Sequence, residues 1–407
     1  MMDNKELFLC ILKKYIHPDH EKIEIKDMTD EKWNNLFQMA VIHSVLPIIH
    51  EAIWQEEAYK KLPENVKEVL KYTSKRDIIR QSQYTAYFIE LYKIFLKNGL
   101  KPLVVKGLIL RNMYKDPDYR ASGDEDILIK KDDFDKMDQI LLQCGFLREK
   151  IEDPKEQHEI SYYNRNNGFH LELHLTLFPK ESGAYGRLNE NFQNVFERSI
   201  KECINAVDIY TLDVTQHMLY LFCHGLKHFL HSGFGIRQLC DMVLFAETYG
   251  ADIDWDEIIS IMKKENMYVF VMNLLDIGER YLGFSWKKAN LQRPEEELLD
   301  SEQLLDDLLL SGVYGKSNEE RNHSANITLQ AAESKKGKKG LVRSLFPEYS
   351  YMCRQYSYLK KYKILLPVAW IQRIFTYAKH TENKNIRQTV DIGNQRVGLL
   401  KKYNIID

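Results

Sequence analysis

The sequence predicts an α+β fold in which a small mixed sheet lies between N-terminal and C-terminal helical domains. Apolar residues recur at helical spacing from about residue 5 to residue 98 and again after residue 208, which predicts helices on both sides. Between these regions, short β-rich runs are bounded by glycine and Asn-Gly turns. At 407 residues, the chain is long enough for two or three domains.

Composition and charge exclude several classes of protein. The chain has 57 Lys and Arg against 59 Asp and Glu, a formal net charge of -2, with 44% hydrophobic and 12% aromatic residues. These values are typical of globular proteins and exclude collagen-like, disordered and disulfide-rich classes. Since no basic excess is present, we expect no binding to bulk nucleic acid.

Targeting and redox signals point to the cytoplasm. The N-terminus mixes charged and apolar residues and has no signal-peptide core. The longest apolar run, 364–371, has eight residues, against roughly 20 for a membrane span. The six cysteines form no CxxC pair, so neither a disulfide framework nor a zinc knuckle is indicated. Nothing in the sequence indicates an oligomeric state.

The first module is helical and covers 1–98. A sheet-containing module follows over 99–182, where a strand at 103–105 leads through Gly107 into a helix at 108–114. A second strand is expected at 124–129. A helix capped by Asp132 and Asp133 is expected to follow and to end near Gln143.

Two further strands, 159–164 and 168–178, flank an Asn-Gly step that predicts a hairpin. Helices are then expected at 214–230, 237–249, 255–265 and 268–282, within a helical domain over 183–290. Residues 291–345 are expected to form a polar linker or loop with short helices, including a lysine-rich run at 335–339 that is typical of a solvated linker. A C-terminal helical segment covers 346–407.

The sharpest motif pairs Asp124 with Asp126 at a strand start. Alternate strand residues share a face, so these carboxylates lie roughly 6–7 Å apart while Glu125 points to the other side. A divalent cation such as Mg²⁺ would relieve their repulsion. The alternative is a solvated strand end without a ligand.

A third carboxylate stands on a later strand. The alternation at 169–175 places leucines on a core face and His170, Glu172 and His174 on the other. Glu172 can join the two aspartates. One alternative is a solvent-exposed face on which Glu172 only pairs with the histidines. The other is a transition-metal site formed by His170, Glu172 and His174, but three ligands on a single strand lie too far apart to surround one ion.

The Lys106-Gly107 turn could hold phosphate, because glycine admits close backbone approach and Lys106 adds charge. A purely structural turn is the alternative. Arg120 could contact a phosphate or pair with Asp118.

Histidines and an Arg/Asp pair follow in the helical region. The histidines lie on one side of a single helix and are His217, His224, His228 and His231. Some are expected to line the cleft facing the sheet and others to be packed. The alternative is a zinc site, which is disfavoured because no acidic or cysteine partner is spaced with the histidines. Arg237 and Asp241, four apart, either form an intrahelical ion pair or shape an acceptor pocket.

Together these motifs resemble the bacterial uncharacterised nucleotidyltransferase family of the polymerase-β-like superfamily. The residues that carry the resemblance are Lys106-Gly107-x-x-Leu110, Tyr114, Pro117, Arg120, Gly123-Asp124-x-Asp126-x-Leu128-Ile129 and Glu172-Leu173-His174. It extends to the helices over 224–241 and to Leu345-Phe346-Pro347, so it covers most of the chain.

The resemblance implies a nucleotidyltransferase palm over 99–182. It implies that Asp124, Asp126 and Glu172 are catalytic ligands of two Mg²⁺ ions, with Mn²⁺ as a substitute, and that the Gly107 turn binds the triphosphate of an NTP such as ATP. We assign Lys106 and Arg120 to the same nucleotide site.

Two departures from the family pattern stand out. The superfamily's usual Gly-Ser step is Gly107-Leu108, without a hydroxyl, and Glu125 replaces an apolar residue. Glu125 must therefore find water or a cation on the far face of its strand.

The resulting hypothesis is transfer of an NMP group from an NTP to a hydroxyl of a small molecule, or less readily of a protein or RNA end. His174, His224, His228, Arg237 and Asp241 are the expected substrate-pocket residues. The alternatives are a nucleotide sensor without turnover and a metal-dependent phosphohydrolase.

Overall fold

The structure of the chain is a computed structural model. It describes residues 3–18, 25–26, 28–231, 233–312 and 386–407, with short segments in between (325, 327–329, 331–333, 349, 352–353, 356–360, 362–370 and 372). The lysine run at 335–339 and the Leu345-Phe346-Pro347 motif lie outside the described residues. Among the helices described, none is long and apolar enough to cross a lipid bilayer.

The N-terminal part is helical, as the sequence predicts. Its helices are α1 (Asn4–Ile16), α2 (Asp30–Ile42), α3 (Leu46–Ile53), α4 (Glu57–Lys60) and α5 (Glu64–Lys97). A capping box starts α1, because the Asp3 carboxylate accepts the Glu6 backbone N–H and the Glu6 carboxylate accepts that of Asp3. The 34 residues of α5 make it by far the longest of these helices.

A five-stranded mixed sheet confirms the predicted α+β class. Its strands are β1 (Leu103–Val104), β2 (Glu125–Leu128), β3 (Phe146–Arg148), β4 (Glu159–Asn164) and β5 (His170–His174). The spatial order is β1-β2-β5-β4-β3, in which only the β2–β5 pair is parallel. The predicted hairpin joins β4 to β5, and Gly168 supplies its positive φ of 74°.

Two short helices connect the strands, α6 (Gly107–Arg111) and α7 (Phe134–Gln143). The predicted aspartate cap of α7 is wrong. Residues Lys131–Asp133 form a 3₁₀ turn that runs into the helix, and the Asp133 side chain makes no capping hydrogen bond.

A second hairpin, β6 (Ile200–Ile204) and β7 (Val207–Thr211), was not expected from the sequence. Its two turn residues, Asn205 and Ala206, both have positive φ, 50° and 61°. This is the geometry of a tight hairpin turn, which glycine usually supplies. The signal was missed because alanine stands where glycine is typical.

The rest of the described chain is helical. Its helices are α8 (Val214–Leu230), α9 (Ile236–Tyr249), α10 (Trp255–Lys264), α11 (Tyr268–Ile277), α12 (Glu302–Ser311) and α13 (Ile386–Lys402). The bounds of α8 are those predicted from the sequence. Arg396 of α13 is fully buried and donates to the carbonyl oxygens of Phe229 and His231, so it caps the carboxyl end of α8.

Two hydrophobic cores hold these elements. One unites α1–α3 with α8–α12 and α13, and the other lies between the sheet and the second half of α5. In the second core, Phe88 of α5 stacks on Phe169 beside Leu171 and Ile127 of the sheet. The terminal helical regions therefore share a core, and the domain boundaries given above stay a prediction.

Candidate functional site

The parallel pairing of β2 and β5 brings two of the predicted acids together. Asp126 lies opposite Glu172 in the register, and His174 lies two residues further along β5 on the same face. One ligand atom from each of the three side chains falls within 4.8 Å of the others. Asp126 and His174 are buried, whereas the Glu172 side chain is partly exposed. The structure thus assembles a group able to hold a metal ion.

Asp124 lies just before β2 and lines the same cleft as Asp126, although it is outside the three-residue group. Burial, followed by the charge of Asp126, raises the pKa of Asp124 to about 7. A carboxyl group in this state loses its proton readily when a cation arrives.

Two cationic groups already stand against Asp126. Lys106 Nζ is 2.9 Å from Asp126 Oδ1, and His174 Nε2 is 3.1 Å from the same oxygen. Burial alone would raise the pKa of Asp126, but Lys106 and His174 hold it well below its usual range. Burial alone would lower the pKa of His174, but its hydrogen bonds to Asp126 and Glu172 raise it to about 9. These two groups therefore stabilise the ionised form of Asp126.

The glycine turn after β1 is filled by the chain itself. The Glu125 carboxylate accepts the Leu108 backbone N–H at 2.9 Å and pairs with Arg111, whose side chain is fully buried. Gly107 has a φ of 27°, and a Cβ atom there would lie 1.9 Å from Glu125 Oε2. Glycine is therefore required at position 107 for the Glu125 carboxylate to approach the backbone of the turn. The cation expected beside Glu125 on the far face of the strand is Arg111.

A cleft separates the sheet from α8 and α9. Its lining includes every residue predicted to contact the nucleotide, together with side chains of the helical domain. The residues are Lys106, Gly107, Leu110, Arg120, Ser122, Asp124, Asp126, Leu221, His224, Gly225, Phe234, Arg237, Gln238, Asp241 and Met242. The cleft is narrow in this conformation, since the cavity among these side chains has a volume of about 30 Å³.

Arg120 and Asp241 form a buried bidentate pair across this cleft. Arg120 Nε and Nη2 lie 2.8 and 2.7 Å from the two Asp241 oxygens, and the Tyr114 hydroxyl donates to Asp241 at 2.8 Å. Arg120 thus pairs with Asp241, not with Asp118, and the intrahelical pair of Arg237 with Asp241 does not form. Asp241 ties α9 to the sheet module.

The histidines of α8 divide into two sets. His224 lines the cleft, where its Nε2 is 3.0 Å from Lys106 Nζ and 3.1 Å from His228 Nε2. Burial, then the charge of Lys106, lowers the pKa of both histidines well below the ordinary value. His217 and His231 have structural contacts instead, since His217 lies 2.8 Å from the Val105 carbonyl oxygen and His231 contacts the Tyr185 hydroxyl.

Two charged residues near the site escaped the sequence interpretation. Glu159 of β4 lies opposite His174 in the hairpin register, and the Asn-Gly turn could have revealed this pairing. Lys227 of α8 approaches Glu159 at 4.0 Å, and burial lowers its pKa. No sequence signal distinguishes Lys227 from other helical lysines, because only packing turns it toward the sheet.

Comparison with known protein families gives a match over more than half of the chain. Residues 29–283 match the family model described as uncharacterised nucleotidyltransferase, and this segment contains all the site residues above. No curated protein and no solved structure matches the chain.

Proposed function

This chain belongs to the uncharacterised nucleotidyltransferase family, and we propose that it transfers an NMP group from an NTP to a hydroxyl group of a small molecule, releasing pyrophosphate. A hydroxyl of a protein or an RNA end is the less favoured acceptor. The observation that supports this proposal is the register that sets Asp126 beside Glu172, in a cleft that also holds Asp124 and Lys106.

The donor set fits a divalent cation. Asp126, Glu172 and His174 bring ligand atoms within 4.8 Å of one another, and Asp124 lines the same cleft. His174 Nε2 lies 3.1 Å from Asp126 Oδ1, where it donates a hydrogen bond to the carboxylate and orients it. The ligands we propose are therefore the carboxylates of Asp124, Asp126 and Glu172. Oxygen ligands favour Mg²⁺, with Mn²⁺ as a substitute.

The reaction is an in-line attack on the α-phosphorus. Two bound Mg²⁺ ions would supply charge neutralisation at the attacking and leaving oxygens. The partly exposed Glu172 carboxylate accepts the proton of the acceptor hydroxyl. His174 orients Asp126 by its hydrogen bond, and Lys106 is the cation placed to bind a phosphate oxygen of the NTP.

The wall formed by α8 and α9 completes the proposed substrate pocket. His224, Arg237 and Asp241 line it, and His228 contacts His224. Asp241 acts by holding Arg120 and the α9 wall in place, since its two oxygens are already occupied.

Titration calorimetry of the four NTPs with Mg²⁺ tests the donor site. We expect one or more NTPs to bind the parent protein in a metal-dependent way and to lose this binding in the Asp124→Asn/Asp126→Asn variant. The matched control is Asp208→Asn/Asp306→Asn, which removes two exposed carboxylates outside the cleft. Absence of NTP binding, or equal binding by the cleft variant, would refute the proposal.

Product analysis with an α-labelled NTP then identifies the reaction. Pyrophosphate together with a labelled acceptor supports transfer. Free NMP indicates the phosphohydrolase alternative, and nucleotide binding without any product indicates the sensor.

A further inference from the structure

The usual anion-binding element of the palm is not open in this chain. The first-turn N–H of α6 is bonded to Glu125, and the glycine that would admit a phosphate is buried beneath that carboxylate. A phosphate approaching this turn would find the Glu125 carboxylate in its place and the Leu108 N–H already bonded to it. The polyphosphate of a nucleotide must therefore find its donors elsewhere in the cleft.

Three cationic side chains line the cleft, and they differ in whether a carboxylate pairs with them. Arg120 presents its fork to Asp241, at 2.8 and 2.7 Å. Lys106 is paired with Asp126. Within the part of the chain that the structure describes, Arg237 has no carboxylate within 4.0 Å, and its hydrogen bond goes to the Ala121 carbonyl oxygen.

Arg237 interacts electrostatically with Asp124 in the same cleft, but its guanidinium is incompletely hydrogen-bonded. The residue is only 5% exposed, and its buried Nε–H has no partner among the described residues. Leaving a buried guanidinium N–H without a hydrogen-bond partner is costly, and a bound anion would remove that cost. Arg237 is also the second residue of the 14-residue helix α9, whose amino end adds a partial positive charge.

We infer that Arg237 binds the polyphosphate of the nucleotide and, with Lys106, replaces the glycine turn as the anion-binding element of this site. The inference rests on the proposed function for the identity of the nucleotide. The guanidinium offers planar paired donors that match phosphate oxygens. Because Arg237 comes from the helical domain, polyphosphate would bridge that domain to the carboxylates on the sheet.

The probe is inorganic tripolyphosphate with equimolar Mg²⁺, titrated calorimetrically into the full chain. We expect Arg237→Gln to weaken binding at least about tenfold, as loss of a charge-assisted hydrogen bond predicts. Arg237→Lys keeps the charge without the fork and should fall between the two. The matched control is Arg293→Gln, which removes an arginine that pairs with Glu279 and Glu296 outside the cleft and should bind within twofold of the parent.

Circular dichroism and thermal unfolding show first whether each variant is folded. A folded Arg237→Gln protein that binds tripolyphosphate within twofold of the parent would overturn the inference. If that variant does not fold, the same twofold criterion applies to Arg237→Lys. If tripolyphosphate binds without competing with the NTP, Arg237 does not bind the polyphosphate of the NTP. That result would overturn the inference and assign the anion site to the acceptor molecule.

The failure of this inference and that of the proposed function are distinguishable. Tripolyphosphate binding that depends on Arg237, in a protein that binds no NTP, supports the anion site and refutes nucleotidyl transfer. Transfer activity that persists in Arg237→Gln with an unchanged KM for the NTP supports the function and overturns the role of Arg237.

Discussion

Replacing Gly107 by alanine tests the arrangement at the turn after β1. The new Cβ would lie 1.9 Å from Glu125 Oε2, so the carboxylate must leave its place against the Leu108 N–H and Arg111. Breaking a buried ion pair costs about 3–5 kcal/mol because the remaining charge stays uncompensated. A positive φ at alanine adds about 1–2 kcal/mol. We therefore expect Gly107→Ala to lower the free energy of unfolding by about 4–7 kcal/mol.

Two other glycines separate the strain from the collision. Gly99 has a φ of 74°, and a Cβ atom added there would have no neighbouring atom within 4 Å, so Gly99→Ala should show the strain alone, about 1–2 kcal/mol. Gly123 likewise has free space and no positive φ, so Gly123→Ala should change the unfolding free energy little. Urea unfolding followed by circular dichroism measures all three variants.

A double-mutant cycle identifies Glu125 as the cause. In a Glu125→Ala background the collision is absent, so adding Gly107→Ala should cost only the strain, about 1–2 kcal/mol. The reasoning is refuted if Gly107→Ala costs the same with and without Glu125, or no more than Gly99→Ala does.

Three further predictions concern buried ionisable groups. Burial lowers the pKa of His43 to about 4, so the contribution of His43 to the free energy of unfolding is complete above pH 6.5. About 3 kcal/mol of that free energy is lost as the pH falls from 6.5 to about 4. His43→Gln should flatten the measured dependence of unfolding free energy on pH, and an unchanged slope would contradict this. Asp241→Asn leaves Arg120 buried without a full counter-charge and should lower the free energy of unfolding, measured in urea, by about 3–5 kcal/mol. A decrease below about 1 kcal/mol would mean that the pair is solvated. Asp126→Asn removes one of the two carboxylates that hydrogen-bond to His174, so the pKa of His174 should fall from about 9, which NMR titration of the imidazole would show. A pKa that stays near 9 would assign the effect to Glu172.

Local patterns predicted individual elements well. Helical periodicity predicted α8, and its bounds in the structure are those expected. In the structure the Asp213 carboxylate also caps this helix by accepting the backbone N–H groups of Thr215 and Gln216. The alternation along β5 and the Asn-Gly turn before it likewise predicted a hairpin that the structure confirms. These signals are local, because a helix or a hairpin satisfies its backbone hydrogen bonds with neighbours a few residues away.

The composition of the candidate site was predictable only in part. Asp124, Asp126 and Glu172 stand out by residue type and spacing, and the resemblance to the family agrees with membership shown over residues 29–283. Lys227 and Glu159 carry no such signal. Their place near the site follows from how α8 packs against the sheet and from the register of β4.

The sequence by itself determined the fold class, most of the helices, the hairpin and the identity of the acidic residues, since each depends on short-range periodicity and turn chemistry. Only the tertiary structure decided the partners. Arg120 pairs with Asp241 across 121 positions of sequence, and Glu125 closes the Gly107 turn from the next strand. The physical reason is that buried charges must be compensated, and which opposite charge lies near is decided by the packing of elements distant in the chain.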